Sequence, residues 1–147
     1  MFLSLNSSMI LVFDLKQNNL KNKEHVRNVQ LLTLDNNKPF GLKGKYGLYN
    51  SNEWWGNIKK GVLPNRIING EIIRLYKAGQ DDIRSFNSFE LMLGNGNGNK
   101  WSSGIYVNDE SDFKLFKIGK KVSIFYILEE LKTGDVIDLV VEMAVSI

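Results

Sequence analysis

The sequence predicts an all-β, mainly antiparallel fold: a small barrel or sandwich of about seven strands with one or two short helices. Three observations carry this. Residues 136–147 alternate, with Ile137, Leu139, Val141, Met143, Val145 and Ile147 on one side and Val136, Asp138, Val140, Glu142, Ala144 and Ser146 on the other. Successive side chains of a strand point to opposite faces, so this segment is a strand with one apolar and one mixed face. From Ile67 onwards, apolar runs of strand length recur at short intervals. Between them stand clusters of Gly, Asn and Asp, the residues that suit turns.

Taken in order, residues 9–15 (MILVFDL) form a short apolar run and read as a strand. Residues 16–24 are polar and rich in Asn and Lys, and read as a loop. Residues 26–34 (VRNVQLLTL) alternate loosely and read as a second strand, free to pair with the first as a hairpin. Turn chemistry follows at Asp35-Asn36-Asn37-Lys38-Pro39. Residues 40–49 hold Gly41, Gly44 and Gly47 and read as a loop or irregular strand. Residues 51–61 read as a short helix. Ser51 or Asn52 caps it, Glu53 suits its positive end, Lys59 and Lys60 suit its negative end, and Gly61 suits the exit. Within it Trp54 and Ile58 share a face and Trp55 points elsewhere.

The C-terminal half is more regular. Residues 67–77, 86–93 and 100–107 read as strands, separated by a polar turn over 78–84 and the turn sequence Gly94-Asn95-Gly96-Asn97-Gly98-Asn99. Residues 108–116 carry capping residues followed by Phe113 and Phe116, a pattern for one or two helical turns. Residues 120–128 read as a strand, 129–134 as a turn, and 136–147 as the last strand. The order β-β-β, short helix, β-β over 67–147 resembles the OB-fold in topology, which implies a five-stranded Greek-key barrel. A meander sandwich would write nearly the same string. Residues 1–66 bury too little to stand alone. They are expected to form a β/helix extension packed on the barrel, within one domain spanning 1–147.

At 147 residues, with 43% hydrophobic and 24% charged residues, the chain is large enough to bury its own core. It has no cysteine, which excludes disulfides, thiolate metal sites and a cysteine nucleophile and fits a cytoplasmic location. The opening run lacks the basic region and cleavage site of a signal peptide, and Met9 offers a second start codon. No stretch approaches the roughly 20 apolar residues of a membrane span. Lysine outnumbers arginine 15 to 4 and there are 17 asparagines, a bias expected of an AT-rich bacterial genome. The net charge of +3 is unevenly placed: residues 1–66 carry +6 and residues 67–147 carry −3.

No constellation for catalysis, cofactor or metal stands out. The Gly94–Asn99 run is flanked by strand patterns, whereas phosphate-binding glycine loops open a helix. His25 is the only histidine and sits in a polar stretch, without a nucleophile elbow or further nitrogen ligands. The acidic pairs Asp81-Asp82 and Glu129-Glu130 lie in turns and are expected to be solvated. Glu71, Glu90 and Glu142 lie within strands and are expected on solvent-facing sides.

Size and character resemble toxin-neutralising immunity proteins and small inhibitors, which implies a non-enzymatic bacterial protein acting through a protein partner. Adjacent tryptophans on a helix cannot both face one core, so Trp54 and Trp55 are candidate anchors. The acidic turn of Asp109, Glu110 and Asp112 supplies the charged contacts. The alternative is a single-stranded nucleic-acid binder. Lys43, Lys45, Lys59, Lys60 and Arg66 would hold phosphates, and Tyr46, Tyr49 and the two tryptophans would stack on bases. Against it, residues 86–107 contain only Glu90 and Lys100 as charges, so the N-terminal half would have to supply the surface.

Overall fold

In the computed structural model the described residues are 1–79, 85–94 and 98–147. Asp81, Asp82 and the centre of the Gly94–Asn99 turn lie outside them. Six strands form one antiparallel sheet: β1 (Met9–Asp14), β2 (Asn65–Tyr76), β3 (Ser88–Leu93), β4 (Lys100–Gly104), β5 (Lys121–Glu130) and β6 (Val136–Ser146). Their spatial order is β1-β6-β5-β2-β3-β4. Helices α1 (Leu15–Lys21), α2 (Lys23–Leu34) and α3 (Asn52–Lys59) precede β2, and a 3-10 helix (Glu110–Leu115) links β4 to β5. The fold is thus mostly β and antiparallel.

Two expectations in the N-terminal half are corrected. Residues 26–34 are not a strand but the body of α2, and residues 16–24 are not a loop but α1 and the start of α2. The spacing Val26, Val29, Gln30 and Thr33 follows a helical period, and it is this side that packs inward while Arg27, Leu31 and Leu34 stay exposed. The β-branched residues favoured the strand reading locally; packing against α1 and the loop over 41–49 decides for the helix. For α1, Asp14 is the N-cap, its carboxylate accepting from the Lys16 amide, and Leu15 and Asn19 are buried. Lys132 closes the far end of α2. Its ammonium donates to the carbonyls of Leu32, Asp35 and Lys38 at 2.6, 2.9 and 3.2 Å, satisfying oxygens that a helix terminus leaves unpaired. Among the described residues the sheet therefore has six strands, and the helices number three plus the 3-10 turn.

The order β5-β2-β3-β4 is a Greek key, in which the fourth strand returns to lie beside the first. That separates the observed topology from a meander. The sheet also curls. β4 and β5 are three strand spacings apart, about 14 Å across a flat sheet, yet the rings of Trp101 on β4 and Tyr126 on β5 stack at 5.2 Å. The two edges meet at Asn108, just past β4. Its amide donates to the Val12 carbonyl at 2.8 Å. Its side chain accepts from the Asp14 amide at 2.7 Å and donates to the Asp14 carbonyl at 3.1 Å. The Asn108 side chain thus imitates a strand residue beside β1, making the sheet barrel-like.

Register explains the core. Val122, Ile124 and Tyr126 on β5 share a face with Ile68 on β2 and Met143 and Val145 on β6, and Phe89 and Leu91 line the same interior from β3. The opposite face of β5 and β6 is also buried, which a strand alternating between apolar and mixed sides does not predict. The N-terminal segment and α3 cover it: Phe2 stacks on Phe125 at 4.7 Å, and Trp54 covers Glu129.

Asn108→Ala removes both side-chain bonds to β1 but leaves the backbone bond. It should lower unfolding free energy by about 1–2 kcal/mol in urea titration, with the denaturant slope unchanged. Stability equal to the native chain would mean that this edge closure contributes nothing.

Candidate partner-binding site

The site is organised by α3. Its caps are those the sequence indicates: Ser51 accepts from the Trp54 amide at 3.1 Å, Glu53 stands in the first turn, and Lys59 in the last. Gly61 exits at φ +75°, a conformation costly for residues with a Cβ. Adjacent helical residues lie about 100° apart, so the two tryptophans separate. Trp54 turns inward and has no exposed surface, while Trp55 is partly exposed.

Trp54 is tied to a buried carboxylate. Its indole Nε1 donates to Glu129 Oε1 at 2.6 Å, and its ring packs against Tyr49 at 5.0 Å. Glu129 is only 2% exposed. Burial pushes its carboxyl above the usual carboxylate range, and the indole hydrogen bond opposes that shift without cancelling it. The expectation of a solvated turn at Glu129 is corrected: it lies in β5, on the face of Phe125 and Ile127. Glu142 is likewise not solvent-facing. Its Oε1 accepts from the amides of Phe2 and Leu3 at 2.8 and 2.7 Å beneath the N-terminal segment. Glu71 is exposed, and Glu90 approaches Arg74 at 3.9 Å.

Trp55 is held from three sides. Its ring stands edge-on to Trp54 at 4.9 Å, its Nε1 donates to Asn50 Oδ1 at 2.8 Å, and the Lys16 ammonium lies 5.7 Å from its centroid. Asn50 occupies the left-handed region at φ +64°, a strained position for a residue with a side chain. Its Oδ1 also accepts from the buried Asn19 at 3.1 Å, and Asn19 in turn donates to the Tyr49 hydroxyl at 3.2 Å. Turning the Trp55 ring would break this network. The exposed side of the ring forms one wall of a cleft of about 630 Å³, shared with Phe2, Asp14, Lys16, Lys59 and Glu142.

The acidic turn connects to this cleft through Asn108 and Asp14. Asp109 caps the 3-10 helix, accepting from the Ser111 amide and hydroxyl at 2.9 and 2.8 Å. These bonds, helped by the nearby Lys21 charge, hold its carboxyl below the usual range. Asp109 and Glu110 are exposed and Asp112 is partly buried. Asn108 binds the backbone of Asp14, and Asp14 caps the helix that carries Lys16. A continuous run of contacts therefore joins the acidic turn to Trp55.

The basic residues are dispersed. Lys43 and Lys45 both approach Glu130, at 3.2 and 3.8 Å. Tyr49 and Trp54 are buried and present no ring to a base, and Tyr46 is partly buried. Lys59 and Lys60 are exposed at the end of α3, and Arg66 lies on β2 opposite Tyr126. The residues that the sequence reading missed are Asn19, Asn50, Asp14 and Lys16; Asn19 and Lys16 lie in a stretch of loop-like composition, Asp14 at the end of an apolar strand run, and Asn50 just before α3. For Glu129 a signal existed: a strand that continues two residues further places it in line with Phe125 and Ile127.

A carboxyl whose pKa is higher in the folded than in the unfolded state binds its proton more tightly when folded. Stability is then lost as pH rises from the unfolded value, near 4.5, through the raised folded value. In Glu129→Gln the side-chain carbonyl still accepts from Trp54 but no longer titrates. Urea denaturation across pH should show the native chain losing stability relative to this variant over that window. Parallel curves would place the Glu129 carboxyl at its ordinary pKa.

Among the described residues no helix is long and apolar enough to cross a membrane. No curated protein matches the chain. One family model does, that of immunity protein RhsI2, over residues 9–146. The match takes in α3, the Trp55 surroundings from Asp14 and Lys16 to Glu142, and the acidic turn. The chain belongs to the immunity protein RhsI2 family, and it is an immunity-type protein that acts through a protein partner.

Proposed function

We propose that this chain neutralises a toxin in the cytoplasm by stoichiometric binding, without chemistry of its own. Its contact face is built from Trp55 and the acidic turn of Asp109, Glu110 and Asp112. The observation that carries the surface assignment is the state of Trp55: partly exposed, yet locked by Asn50, Trp54 and Lys16. An exposed aromatic that is already ordered loses little conformational entropy on binding, and such residues dominate interface energetics.

The carboxylates support a binding role rather than catalysis. Glu129 and Glu142 are buried under structural partners, while Asp14 and Asp109 serve as helix caps. The single histidine is exposed on α2. The basic stretch that could serve nucleic acid has two of its lysines paired with Glu130 and two of its rings in the core.

The test is co-expression with each candidate toxin reading frame that flanks this gene. The native chain should restore growth and co-purify with the toxin at one to one. Trp55→Ala, folded by circular dichroism, should bind with a Kd raised about 30-fold or more, the loss expected of an interface anchor. Growth arrest undiminished by the native chain would overturn the toxin reading.

A further inference from the structure

The cleft beside Trp55 contains a glycine that the fold does not need. Gly56 lies inside α3, where glycine is less favourable than alanine because it has more conformational freedom to lose. Its backbone is not in the left-handed region, and a Cβ built on it would meet no atom within 4 Å. Nothing inside the chain therefore requires a bare backbone at this position. Gly56 does line the cleft, next to the Trp55 ring. The room it leaves is on the side from which a partner would approach.

The charges around that room are unevenly engaged. Lys16 and Lys59 line the cleft, both are exposed, and neither makes a salt bridge among the described residues. Lys43, Lys45 and Arg74 elsewhere on the surface do. The cleft's own carboxylates are already turned to backbone amides: Asp14 Oδ1 accepts from Lys16 N at 2.9 Å, and Glu142 Oε1 accepts from Phe2 and Leu3. Neither ammonium is neutralised by a carboxylate, although that of Lys16 also lies over the Trp55 ring, while the carboxylates remain as fixed negative charge behind them. That combination favours a singly charged anion over a doubly charged one. Lysines also act as point charges, without the fork that arginine offers to phosphate.

We infer that the cleft receives an acidic side chain of the toxin, an Asp or Glu. Its carboxylate meets Lys16 and Lys59 while the backbone that carries it seats over Gly56 against the Trp55 ring. This rests on the toxin-binding reading and names the chemistry of the group that the toxin supplies. Electrostatic complementarity of this kind sets partner choice and association rate as well as affinity.

The experiment titrates the purified toxin that the native chain neutralises on co-expression into the native chain and four variants at low and physiological salt. Gly56→Ala should raise Tm by about 2–4 °C, since it relieves a helical glycine without a clash, and yet weaken toxin binding about tenfold or more. A variant that becomes more stable while binding less cannot be explained by misfolding. The double variant Lys16→Glu with Lys59→Glu should weaken binding about 100-fold, and Lys16→Gln with Lys59→Gln about tenfold, with the salt dependence reduced in both. If Trp55→Ala weakens binding while the lysine and Gly56 variants bind as the native chain does, the toxin-binding reading stands and the acidic-group assignment falls. If the native chain does not bind the toxin, the toxin reading itself falls. Displacement of the toxin by a single-stranded oligonucleotide at physiological salt would overturn the assignment in favour of a phosphate ligand.

Discussion

Two carboxylates buried on the outward face of β5 and β6, Glu129 and Glu142, govern how the rest of the chain is laid over the sheet. A carboxylate removed from water is strongly destabilising unless something replaces the lost hydrogen bonds. Glu129 obtains its replacement from the Trp54 indole, and Glu142 from the amides of Phe2 and Leu3. Each partner belongs to a segment that the sheet does not otherwise hold by strand pairing. The two residues therefore act as address labels: one specifies where α3 docks, the other where the N-terminal segment runs. An apolar face would have attracted the same segments by burial alone, with less control over their position.

The docking of α3 matters because eight residues are too few to be a stable helix in isolation. Its persistence depends on Ser51 and Gly61 at its ends and on Trp54 and Ile58 in the core. Once Trp54 is fixed, the helical geometry leaves Trp55 only one direction, and Asn50 fixes the ring about that direction. The polar network of Asn19, Tyr49 and Asn50 behind it has no surplus, since among the described residues no buried side-chain polar atom is left without a partner. The order of a surface aromatic is thus inherited from a buried ion-capable group on a strand. That is why Glu129, which never reaches the surface, belongs to the account of how the chain presents itself to a partner.

Much of the sheet was legible because its residues announce themselves locally. The strands from β2 to β6 come from period-two patterns separated by turn residues, and α3 from its caps and charge placement. The N-terminal helices were not legible for an identifiable reason. Leu15 and Asn19 alone are buried in α1, too few positions for a period to show. In α2 the residues Leu31 and Leu34 are exposed, so the apolar residues do not all lie on one side and mimic loose alternation. The burial of Glu142 was hidden for another reason: strand periodicity says which side chains share a face, but not that a segment 140 residues away covers it. Of the candidate site, the partial exposure of one of the two tryptophans was legible because Trp54 and Trp55 are neighbours on one helix. Lys16 could not, since its place beside the ring depends on a helix whose pattern was too faint.

The charge split between the halves of the chain reads differently once folded. Residues 1–66 carry +6 and 67–147 carry −3, which along the sequence suggests two oppositely charged faces. In space the halves interleave: Glu130 from β5 sits between Lys43 and Lys45, and Lys21 of α1 lies near enough to Asp109 to lower its pKa. Such exposed pairs contribute little stability, but they do cancel field. What the molecule offers a partner is therefore set by the charges left over after this internal neutralisation, within the screening distance of about 8 Å at physiological salt. At the Trp55 cleft those charges are Lys16 and Lys59, beside an immobile indole and a helix backbone left bare by Gly56. At the proposed contact surface, complementarity would be a local property of a few residues, which the overall charge of either half does not locate.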